Sequence, residues 1–251
     1  MTDIILSGCC GKMGRVITAS VNGRDDCRIV AGVDLKIDES LGYPVYDSFD
    51  KVTEKADVII DFSNPSILDK LLAFAKEKSL PLVLATTGFS ASQTEAIKEA
   101  SKNIPIFFTF NMSLGINLLV ALSKKAASVL EGNFDIEIIE KHHNQKLDAP
   151  SGTAIMLAEA INHTLDDKMM YEYDRHSRRE KRPENAIGIH SVRGGNIVGE
   201  HEVIFAGHDE VITLSHQATS KEVFAVGAIK AALYMTGKNA GIYDMNNIIS
   251  F

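Results

Sequence analysis

The sequence predicts an α/β protein in two parts: a first part with a parallel sheet covered by helices, and a second of α+β type with a mixed or antiparallel sheet. Three observations lead there. Short, continuously apolar runs alternate with helix-like segments over the first hundred residues. After about residue 113 the pattern changes to one long helical stretch followed by several β-rich segments. A length of 251 residues suits one large domain or two ordinary ones.

Ile4-Ile5-Leu6 is the first apolar run and ends at a glycine turn. Ile29 to Val33, Val58 to Ile60, Leu82 to Leu84 and Ile106 to Phe108 follow as strands, and runs without alternation fit a sheet buried on both faces. Between them lie helices at Ile67 to Lys78, introduced by Asn64-Pro65-Ser66, and at Ser92 to Lys102. The second part has a helix over 116–130, a strand over 135–140, a helix near 153–163, and β-rich segments at 187–193, 197–205 and 211–217. Gly194-Gly195 and Gly207-His208-Asp209-Glu210 are expected to turn hairpins between those last three. An apolar helix at 221–235 then returns to the first part. The domain division expected is therefore 1–113 with 219–251, and 114–218.

Hydrophobic residues make up 45% and charged residues 24%, the balance of a folded chain. A net charge of −7 argues against general affinity for nucleic acid or anionic membrane. The basic run Arg175-His176-Ser177-Arg178-Arg179-Glu180-Lys181-Arg182 lacks interleaved aromatics and reads as a solvated loop. No apolar run is long enough to span a bilayer, and no secretory leader is apparent. Cys9, Cys10 and Cys27 cannot all pair and have no metal-ligand spacing. No metal is expected, and the expected location is the reducing cytoplasm.

Gly8-Cys9-Cys10-Gly11-Lys12-Met13-Gly14 follows a strand and opens a helix, the context in which a glycine-rich turn binds a dinucleotide. Bare backbone at Gly8 and Gly11 lets the chain approach a pyrophosphate, and the helix start offers free N–H groups. The glycine spacing is a variant, so Asp34 matters. It ends the second strand, where an acid accepts hydrogen bonds from the adenosine ribose. An aspartate there repels a 2′-phosphate and favours NADH, while Lys36 keeps NADPH open. Ala85-Thr86-Thr87-Gly88 and Thr109-Phe110-Asn111-Met112 follow the fourth and fifth strands, and their hydroxyls and amide can orient a nicotinamide. Cys9 and Cys10 stand near a helix start that can lower a thiol pKa, but small side chains beside a cofactor account for them without a redox role.

The densest chemistry is at Glu140-Lys141-His142-His143-Asn144-Gln145-Lys146-Leu147-Asp148-Ala149-Pro150-Ser151-Gly152-Thr153. Ser151 is a natural N-cap, and the amides of Gly152 and Thr153 with the Thr153 hydroxyl form a carboxylate site. Lys146 adds positive charge. His142 and Lys146 are both able to deliver a proton, and His142 and His143 point to opposite sides if the strand continues. The substrate expected is small and carries one or more carboxylates.

With these residues in view, the chain resembles the 4-hydroxy-tetrahydrodipicolinate reductase (dihydrodipicolinate reductase) family of the diaminopimelate route to lysine. The Glu140-to-Thr153 block carries the likeness, supported in order by Gly8 to Arg15, Asp61-Phe62-Ser63, Thr86-Thr87-Gly88-Phe89 and Asn111-Met112-Ser113. The resemblance implies a Rossmann-like nucleotide domain, a substrate domain with a mixed sheet, and a homotetramer. It implies NADH or NADPH held by Gly8, Cys9, Cys10, Gly11, Lys12 and Met13 at the pyrophosphate and by Asp34 at the ribose. Ala85, Thr86, Thr87, Thr109, Phe110, Asn111 and Met112 would contact the nicotinamide half. His142 and Lys146 would be proton donors, and His143, Gly152 and Thr153 would bind a cyclic dicarboxylate. Leu35 stands where some relatives have an arginine, which again favours NADH, and Asn144 and Gln145 replace more basic residues of some relatives. The nicotinamide is expected to face the His142–Lys146 pocket across an interdomain gap, with hinges near residues 113 and 219.

Two rivals are weaker. An aspartate-semialdehyde dehydrogenase needs a nucleophilic cysteine in its second domain, and none occurs after Cys27. A homoserine-type dehydrogenase, or a non-catalytic dinucleotide sensor, leaves the histidine block without a purpose.

Overall fold

A computed structural model describes residues 1–249 of the chain. It divides into two compact units, Met1–Leu114 with Lys221–Phe251, and Gly115–Ser220.

The first unit holds strands β1 (Thr2–Ser7), β2 (Cys27–Val33), β3 (Val45–Tyr46), β4 (Val58–Asp61), β5 (Leu82–Leu84), β6 (Pro105–Phe108) and β12 (Gly241–Tyr243). They form one parallel sheet in the order β12-β6-β5-β4-β1-β2-β3. The order reverses beside β1, and in such doubly wound sheets ligands bind beyond the carboxyl strand ends at that reversal. Helices α1 (Lys12–Val21) and α6 (Glu222–Met235) cover one face, with Ile4, Leu6, Ile17, Ile60, Ala228 and Met235 in their core. Helices α2 (Leu68–Lys78) and α3 (Ala91–Ser101) cover the other, over Ile5, Ile59, Leu71, Leu82, Leu84 and Ile97. Burial on both faces is why the strands carry no alternation. A 3₁₀ turn at Pro65–Ile67, capped by Asn64, leads into α2, and a Ser90–Gln93 capping box starts α3.

The second unit holds α4 (Leu114–Leu130), β7 (Asp135–His142), α5 (Gly152–Thr164), β8 (Met170–Glu172), β9 (Ala186–Arg193), β10 (Gly199–Ala206) and β11 (Val211–Ala218). Its sheet is mixed, in the order β11-β10-β7-β9-β8. β7 pairs parallel with β9 and antiparallel with β10. This corrects the expectation of a hairpin at Gly194-Gly195, because β9 and β10 lie on opposite sides of β7 and the glycine turn crosses its end. Gly194 N–H donates to the His142 carbonyl (2.9 Å) and Asn144 N–H to the Gly195 carbonyl (3.2 Å). The second turn, Gly207 to Glu210, does close a hairpin between β10 and β11. Short strands β3, β8 and β12 were not foreseen; two or three residues carry no periodicity.

β7 buries every second residue, Ile136, Ile138, Glu140 and His142, and β10 buries Gly199, His201, Val203 and Phe205. Helices α4 and α5 supply Leu119, Ala127, Leu157 and Ile161 to the apolar end of this layer. The same row thus turns from apolar to titratable along the strands. The basic run also departs from a wholly solvated loop. Arg182 donates to Glu137 (2.8 Å), Asp135 (2.8 Å) and the Ile136 and Ala186 carbonyls (2.9 and 2.6 Å), tying β7 to β9. Among the described residues no helix is long and apolar enough to cross a membrane.

Candidate active site

The glycine-rich turn between β1 and α1 is built so that its backbone is bare. Gly8 has φ +78°, and a Cβ there would stand 2.5 Å from the Phe62 carbonyl oxygen. A Cβ on Gly14 would collide with the carbonyls of Gly8 and Cys9, so the third glycine lets α1 lie against the turn. Gly11 is the N-cap of α1, makes no side-chain cap, and no acid occupies the first helical turn. The helix start therefore keeps its amides and positive dipole end for an anion. Lys12 is exposed there and Met13 half-buried.

Asp34 follows β2. Its carboxylate accepts from the Cys10 amide (3.0 Å) and from the Lys36 amide (3.2 Å). These two bonds fix it beside the turn and leave acceptor capacity on both oxygens. A cavity of about 790 Å³ opens in front of the strand ends, lined by Gly8, Gly11, Asp34, Leu35, Phe62 and Ser63 among others. Leu35 is 90% exposed. A pyrophosphate at the turn and a ribose at Asp34 fit this unit on the bare glycine backbone and the acceptor at the strand end. The thiols do not follow the expected helix effect. Burial pushes Cys9 up to about 12 and also raises Cys10, which favours the thiol over the thiolate at both.

The loops after β5 and β6 are less uniform than expected. The Thr86 hydroxyl is buried and donates to Asp61 (2.6 Å), as does that of Ser63 (2.5 Å), so it is committed within the protein. Burial raises the Asp61 pKa against those two bonds. Thr87 is exposed and Ala85 buried. Thr109 is half-buried, with its hydroxyl 3.4 Å from the Asn111 carbonyl, while Asn111 accepts from the Ser113 amide (2.8 Å). Phe110 is 80% exposed and its ring lies 5.9 Å from that of Phe108. The Met112 side chain belongs to the core, leaving only its backbone for a ligand.

In the second unit the polar end of the buried row meets the start of α5. Glu140 is fully buried. It accepts from His142 Nδ1 (2.6 Å), from Arg193 Nη1 and Nη2 (2.8 and 2.7 Å), and from the Ser151 amide (3.1 Å). Burial opposes its charge, but Arg193 and then His142 outweigh this and hold the carboxyl at about 2. His142 is pulled below its ordinary value by burial, partly offset by Glu140. The His201 ring packs edge-on to His142 with centroids 5.2 Å apart, and its Nε2 lies 3.2 Å from the Ser151 hydroxyl. β7 ends at His142, so His143 is half-buried in the turn that follows, where its carbonyl accepts from the Lys146 amide (3.1 Å). Lys146 Nζ pairs with Asp148 (2.8 Å). Ser151 caps α5 through Ala154 N–H (3.2 Å), as expected, and Gly152 is exposed with nothing within 4 Å of a would-be Cβ. Thr153 is half-buried beside it. His142 at the end of β7, His143 and Lys146 in the connection, and Gly152 and Thr153 at the start of α5 thus form one short stretch of chain. It carries a cation, two imidazoles and a helix N-terminus, which together can hold a carboxylate and move a proton.

A family profile described as dihydrodipicolinate reductase, N-terminus, matches residues 2–112, and one described as dihydrodipicolinate reductase, C-terminus, matches residues 115–249. The chain belongs to the dihydrodipicolinate reductase family. It is 52% identical over 249 residues to the 4-hydroxy-tetrahydrodipicolinate reductase of Clostridium novyi, covering 99% of this chain and 98% of that one. It is equally 52% identical over 249 residues to that of Caldanaerobacter subterraneus, with the same coverage. Among solved structures it resembles a dipicolinate-bound dihydrodipicolinate reductase from Paenisporosarcina sp. TG-14, with a TM-score of 0.82, 26% identity and 99% of each chain covered. A myo-inositol dehydrogenase from Corynebacterium glutamicum shares the fold, with a TM-score of 0.60 and 16% identity over 93% of this chain and 87% of that one.

Sequence reasoning gave no role to Arg193 or His201, and quoted Glu140 and Asp61 only as parts of motifs. Glu140 had a signal: it stands two residues before His142, on the same face of a strand whose alternate residues are buried. Arg193, 53 positions away, had none.

Proposed function

We propose that this chain reduces 4-hydroxy-tetrahydrodipicolinate, a cyclic dicarboxylate, to tetrahydrodipicolinate with a reduced nicotinamide nucleotide. The observation that carries the reading is the segment joining β7 to α5, where His142 and the Ser151 amide at the start of α5 both bond a buried Glu140, and His143 and Lys146 stand on the connection between them. A relative solved with dipicolinate, itself a cyclic dicarboxylate, supports the substrate class.

When bound, the nucleotide supplies the hydride. Gly8, Cys9, Cys10, Gly11, Lys12 and Met13 would hold its pyrophosphate, chiefly through backbone, and Asp34 its adenosine ribose. Ala85, Thr87, Thr109, Phe110, Asn111 and the Met112 backbone remain for the nicotinamide half; the Thr86 side chain supports that loop through Asp61 instead. Asp34 and the exposed Leu35 offer no positive charge to a 2′-phosphate, which favours NADH. In the second unit, the Gly152 and Thr153 amides with His143 orient the dicarboxylate, Lys146 adds charge attraction, and His142 with Lys146 supplies the compensating proton. Holding the reacting carbon in one orientation provides much of the acceleration. The assembly implied by the resemblance is a homotetramer, and a monomer mass by light scattering would remove it.

The test is oxidation of NADH or NADPH by purified protein supplied with the freshly made condensation product of pyruvate and aspartate semialdehyde. Substrate-dependent oxidation is expected, faster with NADH at subsaturating nucleotide. His142→Gln and Lys146→Ala should each lower kcat by roughly 10²-fold or more with nucleotide Kd nearly unchanged. No oxidation with either nucleotide overturns the function; normal turnover in both variants overturns the site.

A further inference from the structure

An imidazole can move a proton without a buried carboxylate behind it, yet His142 has one. We propose that Glu140 is a positioning residue, which holds His142 as the Nδ1-protonated tautomer so that Nε2 is the ring's one proton-exchanging atom. This rests on the reading of His142 as a proton-handling group.

The argument is one of donors and acceptors. A carboxylate has about four acceptor positions, two on each oxygen. On Glu140, Oε1 takes Arg193 Nη2 (2.7 Å) and the Ser151 amide (3.1 Å), and Oε2 takes Arg193 Nη1 (2.8 Å) and His142 Nδ1 (2.6 Å). A guanidinium and a peptide N–H can only donate. The bidentate Arg193 pair, with the Ser191 hydroxyl also bonded to the carboxyl, keeps Glu140 ionised; a carboxylate can only accept, so the contact with the ring is made by Nδ1–H. The neutral ring then has Nε2 bare. That atom makes no hydrogen bond to any described residue. Gly199 keeps its edge clear, since a Cβ there would stand 3.1 Å from Nε2.

The charges around the ring agree with this role. Burial, the largest effect, disfavours an imidazolium, as do Lys146 and Arg193, and together they outweigh Glu140, which favours it. His201, edge-on to the ring, is held at about 4 by burial and adds no charge near neutrality. Arg193 also donates to the Asp148 carbonyl (2.7 Å). The guanidinium that neutralises Glu140 thereby also braces the loop carrying Lys146, and ring orientation and loop position share one anchor.

The experiment is two-bond ¹H–¹⁵N spectroscopy of the full-length protein with ¹⁵N-labelled imidazoles, the His142 signals being assigned by their loss in His142→Gln. The wild type is expected to show neutral His142 protonated at Nδ1. In Glu140→Gln the tautomers should become mixed or reversed. Its kcat should fall by roughly 10²-fold or more with nucleotide Kd unchanged, and the alkaline limb of kcat, where the proton donor is lost, should move to lower pH. Glu140→Asp should recover part of both signals. Gly199→Ala should lower kcat by crowding Nε2 while leaving the Nδ1 tautomer in place. Neutral His142 protonated at Nε2 in the wild type overturns the proposal even if Glu140→Gln does not fold, and so does an unaltered tautomer in that variant. Full turnover of His142→Gln would instead remove the ring from the reaction, a failure of the functional reading that the wild-type spectrum tells apart.

Discussion

His201 makes the stability of the second unit depend on pH in a way that can be worked out. The ring is 4% exposed, packed beside His142 and Ser151. Burial, and then the neighbouring His142, lowers its pKa from 6.5 to about 4. Between those values the unfolded chain holds a proton that the folded chain does not, so acid favours unfolding. The contribution is whole above about pH 6.5 and is lost as the pH falls toward about 4. Across the full interval this one ring is worth about 3 kcal/mol, of which about 2 kcal/mol falls between pH 7 and pH 5. The chain has no tryptophan, so urea unfolding is best followed by far-ultraviolet circular dichroism. Wild type and His201→Gln would be compared at both pH values. Glutamine keeps a polar group for Ser151 and does not titrate. His142 and His216, also held low by burial, stay in both proteins and cancel. The wild type should lose about 2 kcal/mol more than the variant on going to pH 5. Equal losses would show that burial does not shift this ring, and the reasoning would fail.

Asp34→Ala should weaken NADH more than NADPH in fluorescence titrations, and an equal loss would remove its part at the ribose. Gly8→Ala places a methyl 2.5 Å from the Phe62 carbonyl at φ +78°, which should cost about 1–3 kcal/mol and weaken nucleotide binding; an unchanged Tm would contradict the steric argument. Arg182→Leu leaves Glu137 and two strand carbonyls without their donor and should destabilise by about 2 kcal/mol at pH 7. A change under about 0.5 kcal/mol would return Arg182 to the solvated surface.

The parts legible in the sequence are those whose cause is local. Ile4 to Leu6, Val58 to Ile60 and Leu82 to Leu84 announce buried strands because every residue is apolar. Gly8 announces its turn because no other residue tolerates that backbone. Ser151 announces α5 because its hydroxyl serves an amide three residues on. What was illegible depends on partners far along the chain. Gly194-Gly195 looks like a hairpin between two strands, yet β7, which ends far earlier in the chain at His142, separates them in the sheet. Thr86 looks available to a ligand until Asp61, 25 positions away, accepts its hydrogen bond. Arg182 looks like one more solvated cation, and only the pairing of β7 with β9 gathers its acceptors. Local pattern thus gives the elements and the reactive loop, whereas long-range pairing decides which polar groups are already engaged.

The sheet of the first unit is finished by its last pieces of sequence. β12 adds to β6 at one edge, and α6 sets Ala225, Ala228, Ala232 and Met235 against the strands on one face. A nascent chain leaving the ribosome therefore starts this layer first and completes it last, after the whole of residues 115–220 has been made. A fragment ending at residue 114 would lack the helix that covers one face of this sheet and the strand at its edge. A severed version would have to be reassembled from both ends, with residues 221–251 supplied in trans or joined ahead of Met1.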